Sequence, residues 1–200
     1  MNIKCKQDNF FHGEKDMERD DRAPGLKRFF QKLTLLCFQQ LFIDNMPVAD
    51  YVSSLLARFA STDRLYKIKN ALGERVEYMV DFLTEANSAM DLQSDRFSPF
   101  REREIRQHIG DYTLFMTGIY RDFVVKGSSL KYYMDQGKYS YSTVSEFDRL
   151  AEKQGAEIFQ DLSSRFEYYS WVLDYMKKVY FKDASVLGPY RASIQSLAEW

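Results

Sequence analysis

The sequence predicts an all-α protein, a bundle of about six to seven helices that follows a flexible charged tail. From residue 26 onward, apolar residues recur at steps of three or four, which is the period of an amphipathic helix. No segment alternates apolar and polar residues as a half-buried strand does. The chain also has only four prolines and nine glycines, which is few for an all-β fold with many turns.

Residues 1–25 are predicted to form the flexible charged tail, and residues 26–200 a single helical bundle domain. Eight charged residues lie between Glu14 and Arg22, counting both ends, and this stretch has little apolar periodicity. A Pro-Gly pair then marks the boundary with the domain. Because Phe, Tyr and Trp make up 16% of the 200 residues, we expect the domain to have a large aromatic core.

Four helices are predicted in the N-terminal part of the domain, each with its own start signal. The first begins near Leu26, and the second begins at Pro47, because proline suits the first turn of a helix. The third follows the Ser-Thr-Asp sequence at 61–63, which offers a cap, and its apolar pattern runs from Leu65 to Met90. The fourth spans residues 99–126, with Ser98 as its cap.

Three more helices are predicted in the C-terminal part. A short fifth helix follows a Gly-Ser-Ser sequence and is stopped by Gly137. The sixth and longest spans residues 143–180, where Thr143 and Glu146 fit a capping box. Residues 188–200 form a final short helix. Four apolar side chains along the sixth helix are expected to be buried: Phe159, Leu162, Phe166 and Leu173.

Composition and charge argue against several classes of function. The 28 basic and 29 acidic residues give a net charge of −1, without the basic excess typical of nucleic-acid binders. No apolar segment approaches the roughly 20 residues needed to span a membrane, and the charged start lacks a signal-peptide core. Two cysteines do not suggest a disulfide framework. We therefore expect a cytoplasmic protein without a cofactor, whose partner is a protein, a second copy of the chain or a small molecule.

The segment REIRQHIGDYTLFMTGIYRDF, residues 103–123, places His108, Gly110 and Gly118 within one predicted helix. On a helical wheel the large apolar residues share one sector, and Gly110 lies with Thr117 roughly opposite. Small residues on one face let a neighbouring helix approach closely. We therefore predict that Gly110 packs against another helix and that His108 is a salt-bridged histidine at the rim of the apolar sector.

A metal or acid–base site is the alternative interpretation of the same segment. Glu104, His108 and Asp111 stand at positions i, i+4 and i+7 and therefore share a helix face, with Tyr112 beside them. Three such side chains can bind Zn²⁺ or Fe²⁺, or form a base with an orienting carboxylate. A carboxylate-bridged di-iron bundle, however, needs Glu-x-x-His on two helices, and His12 is the only other histidine.

Aromatic and basic residues alternate in the segment KGSSLKYYMDQGKYSYS, residues 126–142. Rings that lie between cations can stack on a flat ligand or on a partner, although a loop covered by amphipathic rings has the same pattern. Together with the preceding segment, this region supplies the candidate contact residues: Tyr112, Lys131, Tyr132, Tyr133, Lys138, Tyr139 and Tyr141.

The leading functional hypothesis is a non-enzymatic interaction or regulatory module that binds a partner through an aromatic surface. No nucleophile elbow, HExxH, paired CxxC or GxGxxG motif occurs in the chain. The alternative is a ligand-binding or metal-dependent helical enzyme with a site around Glu104, His108 and Asp111. That alternative requires a concave site that His108 reaches together with polar groups from a second helix.

Overall fold

A computed structural model shows how the chain folds. It describes the backbone of residues 12–24 and, with their side chains, residues 25–60, 68–69, 73, 78–182, 187–190 and 194. Over this part of the chain the regular structure consists of eight α-helices and a 3-10 helix at Gly188–Tyr190, so the predicted all-α class is confirmed with one or two more helices than expected. The helices are α1 (His12–Gln40), α2 (Met46–Phe59), α3 (Met79–Met90), α4 (Pro99–Gly118), α5 (Arg121–Gly127), α6 (Leu130–Leu150), α7 (Ala156–Ser164) and α8 (Phe166–Tyr180).

Helix α1 begins at His12, well before the expected start near Leu26. Its backbone therefore covers part of the segment predicted as a charged tail, and the mobility of that segment stays a prediction. Residues 1–11 lie outside the described residues, as does most of the final helix predicted over 188–200. Within the described part of the chain, no helix is long and apolar enough to cross a membrane.

Side-chain caps fix the starts of three helices. Asn45 Oδ1 accepts a hydrogen bond from the Val48 amide at 3.1 Å, with Pro47 in the first turn of α2. Ser98 Oγ accepts from the Arg101 amide at 3.3 Å and confirms the predicted start of α4. Ser129 caps α6 by accepting from the Tyr132 amide. Each cap satisfies a backbone donor that the first helical turn leaves without a partner.

The predicted third helix is shorter than its apolar pattern suggests. Helix α3 begins at Met79, after Tyr78 in an extended conformation, rather than near residue 63. Gly73 has a φ of 79°, a left-handed conformation that interrupts a helix. Residues 61–67, where the cap was predicted, lie outside the described residues.

Gly137 does not stop a helix, which corrects the predicted fifth and sixth helices. Helix α6 runs through it to Leu150. A Cβ at position 137 would collide with the ring of Phe166. The glycine thus makes room for a neighbouring helix. Thr143 is not a cap either: it lies inside α6, where its hydroxyl donates to the Tyr139 carbonyl at 2.9 Å.

Two predicted long helices are interrupted. The helix expected over 99–126 breaks at Tyr120, whose φ of −105° and ψ of 30° separate α4 from α5. The helix expected over 143–180 is three helices. Gly155, with a φ of 89°, precedes α7, and Arg165, with a φ of −118°, separates α7 from α8.

Helix α4 forms the centre of the bundle and packs against α2, α3, α6 and α8. From Ile105 to Gly118 all but one of its residues are buried, which explains why glycines and threonines occur on the side opposite its large apolar residues. The predicted burial of four apolar residues along the sixth helix is confirmed. All of them lie in the core: Phe159, Leu162, Phe166 and Leu173. Cys37 is also fully buried, and this burial raises the pKa of its thiol to about 12.

The predicted close packing at Gly110 is confirmed, and it leads to a first testable prediction. A Cβ at Gly110 would lie 2.6 Å from Cδ1 of the buried Tyr141 ring. Gly110→Ala is therefore expected to lower the free energy of unfolding by about 1–3 kcal/mol, although alanine favours helices. Denaturant melts measure this change.

Gly127 is the matched control, since it is also helical, and a Cβ there would meet no neighbouring group of the described structure within 4 Å. Gly127→Ala should stabilise the protein slightly, by about 0.4–1 kcal/mol. Equal effects of the two substitutions would contradict the packing account.

Candidate functional site

A buried polar centre joins α2, α4 and α6 around Asp111. Both of its carboxylate oxygens accept hydrogen bonds: Oδ1 from Tyr51 Oη at 2.5 Å and from Tyr141 Oη at 2.9 Å, and Oδ2 from Arg58 Nη2 at 2.9 Å. Tyr51 and Arg58 stand two turns apart on one face of α2, which brings both to the same carboxylate. The charge of Asp111 is therefore compensated by groups from two other helices.

The polar centre continues along α4 toward the surface. Gln107 Nε2 donates to Tyr51 Oη at 3.1 Å, and its Oε1 accepts from Arg103 Nη1 at 2.9 Å. Arg103 then binds the buried carboxylate of Asp148 with two hydrogen bonds of 2.6 Å. Paired bonds of this kind between guanidinium and carboxylate are strong and directional.

The centre holds its tyrosines in the protonated form. Burial raises the pKa of Tyr51 and of Tyr141 well above the ordinary value, and the neighbouring Asp111 carboxylate raises both further. For Arg58, burial lowers the pKa, but Asp111, Tyr51 and Tyr141 together outweigh burial and the net shift is upward. Two neutral phenols and one cation therefore donate to one anion. This arrangement suits a stable structural centre rather than a group that exchanges protons.

The three residues proposed as metal ligands are not brought together as ligands. Asp111 is held by the polar centre, whereas His108 is 3% exposed and lies between the rings of Phe59 and Phe82, at centroid distances of 5.8 and 5.1 Å. Among the described residues, no three His, Cys, Asp or Glu side chains converge as a metal site requires. His108 is thus a core residue and not the predicted rim histidine, because α2 and α3 cover it.

The candidate residues between 126 and 142 do not form one surface. Tyr141 is fully buried against Asp111, and the buried Tyr112 packs on the half-buried Tyr133 at a centroid distance of 6.4 Å. Of the candidate tyrosines, only Tyr132 and Tyr139 are exposed. The two lysines of the segment pair with carboxylates of the same chain, Lys131 with Asp135 and Lys138 with Glu167.

The exposed ring of Tyr139 covers a buried cation on α4. The guanidinium carbon of Arg106 lies 4.9 Å from the ring centroid, within the range of a cation–π interaction. Glu102, one turn earlier on α4, lies 3.6 Å from Arg106 Nε. No local sequence pattern indicates the burial of Arg106, which depends on the packing of α6 against α4.

Three aromatic side chains stack along α8. Tyr168 and Trp171 are 6.1 Å apart with an interplanar angle of 16°, and Trp171 and Tyr175 are 5.8 Å apart at 27°. Arg165 extends the stack, with its guanidinium 5.0 Å from the Tyr168 ring. Trp171 is 44% exposed, so the stack is accessible to solvent. The spacing i, i+3, i+7 of these aromatics is a sequence signal that could have identified them.

The end of α1 adjoins this stack. Tyr168 Oη contacts the Leu41 carbonyl, and Tyr175 Oη donates to Gln40 Oε1 at 3.4 Å. Phe42, which follows Leu41, is 96% exposed and has a φ of 54°. With two further exposed aliphatic residues, these side chains make up what we term the α1–α8 aromatic surface: Leu36, Phe42, Tyr168, Trp171, Tyr175 and Val179.

Comparison of the chain with protein-family models, curated proteins and solved structures finds no match.

Proposed function

We propose that this protein is a non-enzymatic interaction module that binds a partner protein through the α1–α8 aromatic surface. The observation that carries the proposal is the stack of Tyr168, Trp171 and Tyr175, in which the exposed Trp171 lies between two half-buried tyrosine rings, close to the exposed Phe42. Tryptophan and tyrosine dominate the energetics of protein interfaces, and clustered exposed apolar groups mark such interfaces.

The stack is also organised before a partner binds. Tyr168 and Tyr175 each reach a group at the end of α1 through their hydroxyls, and their rings hold Trp171 between them. Side chains that are already fixed lose little rotamer freedom on binding, so more of the contact energy contributes to affinity.

The carboxylates beside the stack are compensated within the chain. Glu167 and Asp174, the carboxylates of α8 nearest the stack, already pair with Lys138 and Lys178. Paired carboxylates repel an approaching partner less than free ones would, so the aromatic side chains dominate the character of this surface.

The enzyme alternative receives less support from the site geometry. The Asp111 centre contains the acidic and phenolic groups that a catalytic site would use, but these groups already make hydrogen bonds with one another. A general base must instead reach a proton of the substrate.

Site-specific photocrosslinking in the native host tests the proposal. A photoreactive phenylalanine analogue at Phe42 should give a crosslinked product with a partner protein, whereas the same analogue at Phe100, another exposed phenylalanine, should not. Trp171→Ala should weaken the interaction at least about tenfold, since a central tryptophan commonly contributes about 2 kcal/mol or more.

Tyr132→Ala is the matched control, because Tyr132 is exposed to a similar degree but lies outside the α1–α8 aromatic surface. The crosslinked product from position 42 should form in the Tyr132→Ala variant to the same extent as in the protein without that substitution. A product of twice the chain mass would identify a second copy as the occupant in place of a different partner protein. Equal crosslinking from positions 42 and 100, or none from position 42, would contradict the proposal.

A further inference from the structure

Phe42 follows the end of α1 in a backbone conformation that bulky residues rarely adopt. Its φ of 54° is left-handed, and among the described residues only Glu152 is another non-glycine residue with a positive φ. The other left-handed positions in this part of the chain, 73, 155 and 188, are all glycines. Because a Cβ is strained in this conformation, glycine is the residue that the backbone favours at position 42.

Two backbone hydrogen bonds hold Phe42 in the left-handed conformation. The Ile43 amide donates to the Phe38 carbonyl at 2.8 Å, and the Phe42 amide donates to the Gln39 carbonyl at 3.2 Å. This pair of bonds is the Schellman motif, which ends many helices and usually has glycine at the position that Phe42 occupies. Phe38 and Ile43 are buried, so the core fixes the turn from which the Phe42 side chain extends.

The ring of Phe42 contributes little to the fold itself. It is 96% exposed, the largest exposed fraction of any large apolar side chain in the described part of the chain. A phenylalanine ring stabilises a fold by leaving water, and this ring does not leave water in the isolated chain. Position 42 thus combines a strained backbone with a side chain outside the core, a combination that is expected at functional sites.

The end of α6 repeats the same turn and provides a matched comparison. The Lys153 amide donates to the Asp148 carbonyl at 2.8 Å, and the Glu152 amide donates to the Arg149 carbonyl at 3.1 Å. Glu152 has a φ of 52° and is exposed. The two turns therefore share one backbone geometry. They differ in the exposed side chain, which is a charged group that water solvates well at position 152 and an apolar ring at position 42.

We propose that Phe42 is the specificity-determining residue of the α1–α8 aromatic surface and inserts its ring into an apolar pocket of a different protein. This inference rests on the proposed function of that surface. A ring on a fixed turn enters a pocket without ordering its backbone, and aromatic side chains that fill such pockets dominate many interfaces. In an isologous dimer, a second copy would present the same exposed rings rather than a pocket, so the occupant is a different protein.

Thermal melts of the full chain test whether the ring is dispensable for the fold. Phe42→Gly should raise the thermal midpoint by about 2–4 °C, because glycine relieves the strain of the left-handed conformation. Glu152→Gly should raise the midpoint by a similar amount for the same reason. If the ring supported the fold, Phe42→Gly would lower the midpoint while Glu152→Gly raised it.

Photocrosslinking in the native host tests whether the ring is needed for binding. The photoreactive phenylalanine analogue is placed at Leu36 or Val179, two exposed residues of the same surface. Phe42→Gly should lower the yield of the crosslinked product about tenfold or more, although the variant is the more stable protein. Glu152→Gly, which relieves the same strain elsewhere, should leave the yield unchanged.

Three results would overturn the inference and leave the proposed function standing. The first is a thermal midpoint of Phe42→Gly that is no higher than that of the parent. The second is an unchanged yield of crosslinked product in Phe42→Gly. The third is a product of twice the chain mass, which would assign the contact to a second copy. The absence of any product from both positions 36 and 179 would instead contradict the proposed function, and the inference with it.

Discussion

Replacing Asp111 with alanine is expected to lower the free energy of unfolding by about 3–5 kcal/mol, which can unfold a domain of ordinary stability. The substitution removes the carboxylate that accepts from Arg58 Nη2 and from the hydroxyl of the fully buried Tyr141. A partly buried cation and a buried phenol would then lose this acceptor, so the cost exceeds the value of the hydrogen bonds themselves. Urea unfolding followed by circular dichroism measures the change.

Two controls separate this effect from the loss of any acidic side chain. Asp50→Ala, on the exposed side of α2, should change stability by no more than about 0.5 kcal/mol. Tyr141→Phe removes one donor and leaves Asp111 two others, so it should cost about 1 kcal/mol. If Asp111→Ala cost no more than Tyr141→Phe, the polar centre would not be what holds α2, α4 and α6 together.

Phe166→Ala is expected to cost about 3–5 kcal/mol, through the cavity that it leaves in the core. Phe166 is fully buried at the start of α8, where its ring fills the space above Gly137 and packs on Tyr141 at a centroid distance of 6.1 Å. Neighbouring side chains that are fixed by hydrogen bonds, such as Tyr141, cannot collapse into the cavity. Thermal and denaturant melts of the variant measure the loss.

Phe123→Ala provides the comparison, because Phe123 is a phenylalanine of α5 that is about half exposed. That change should alter the free energy of unfolding by about 0.5 kcal/mol or less. Similar losses for Phe123→Ala and Phe166→Ala would show that burial is wrongly assigned to the start of α8.

Local chemistry predicted the starts of α2, α4 and α6 but not those of α1 and α3, and long-range packing decided where several helices end. The cap at Ser98 could be predicted, since the residues that it needs are adjacent in sequence. The break at Arg165 could not, because Leu162, Phe166 and Tyr169 keep the same spacing across it. The prediction for Gly137 was wrong because only the folded structure shows that Phe166 occupies the space of its missing side chain.

The same limit applies to the candidate sites. Asp111 could be singled out, but Tyr51 and Arg58 lie 60 and 53 residues away, so no local pattern could show that they satisfy its charge. The aromatic stack on α8 was accessible to sequence reasoning through its helical spacing. Core residues have the same period, however, and the sequence does not show that Trp171 faces solvent.

The contact between α1 and the C-terminal part of the chain has a consequence for synthesis on the ribosome. Phe30 is fully buried, and its ring packs on those of Phe29 and Phe181. At about 5–20 residues per second, Phe181 emerges about 8–30 s after Phe30. During that interval the apolar face of α1 lacks its final neighbour, so the nascent chain depends on chaperones or on transient contacts with α2 to prevent aggregation.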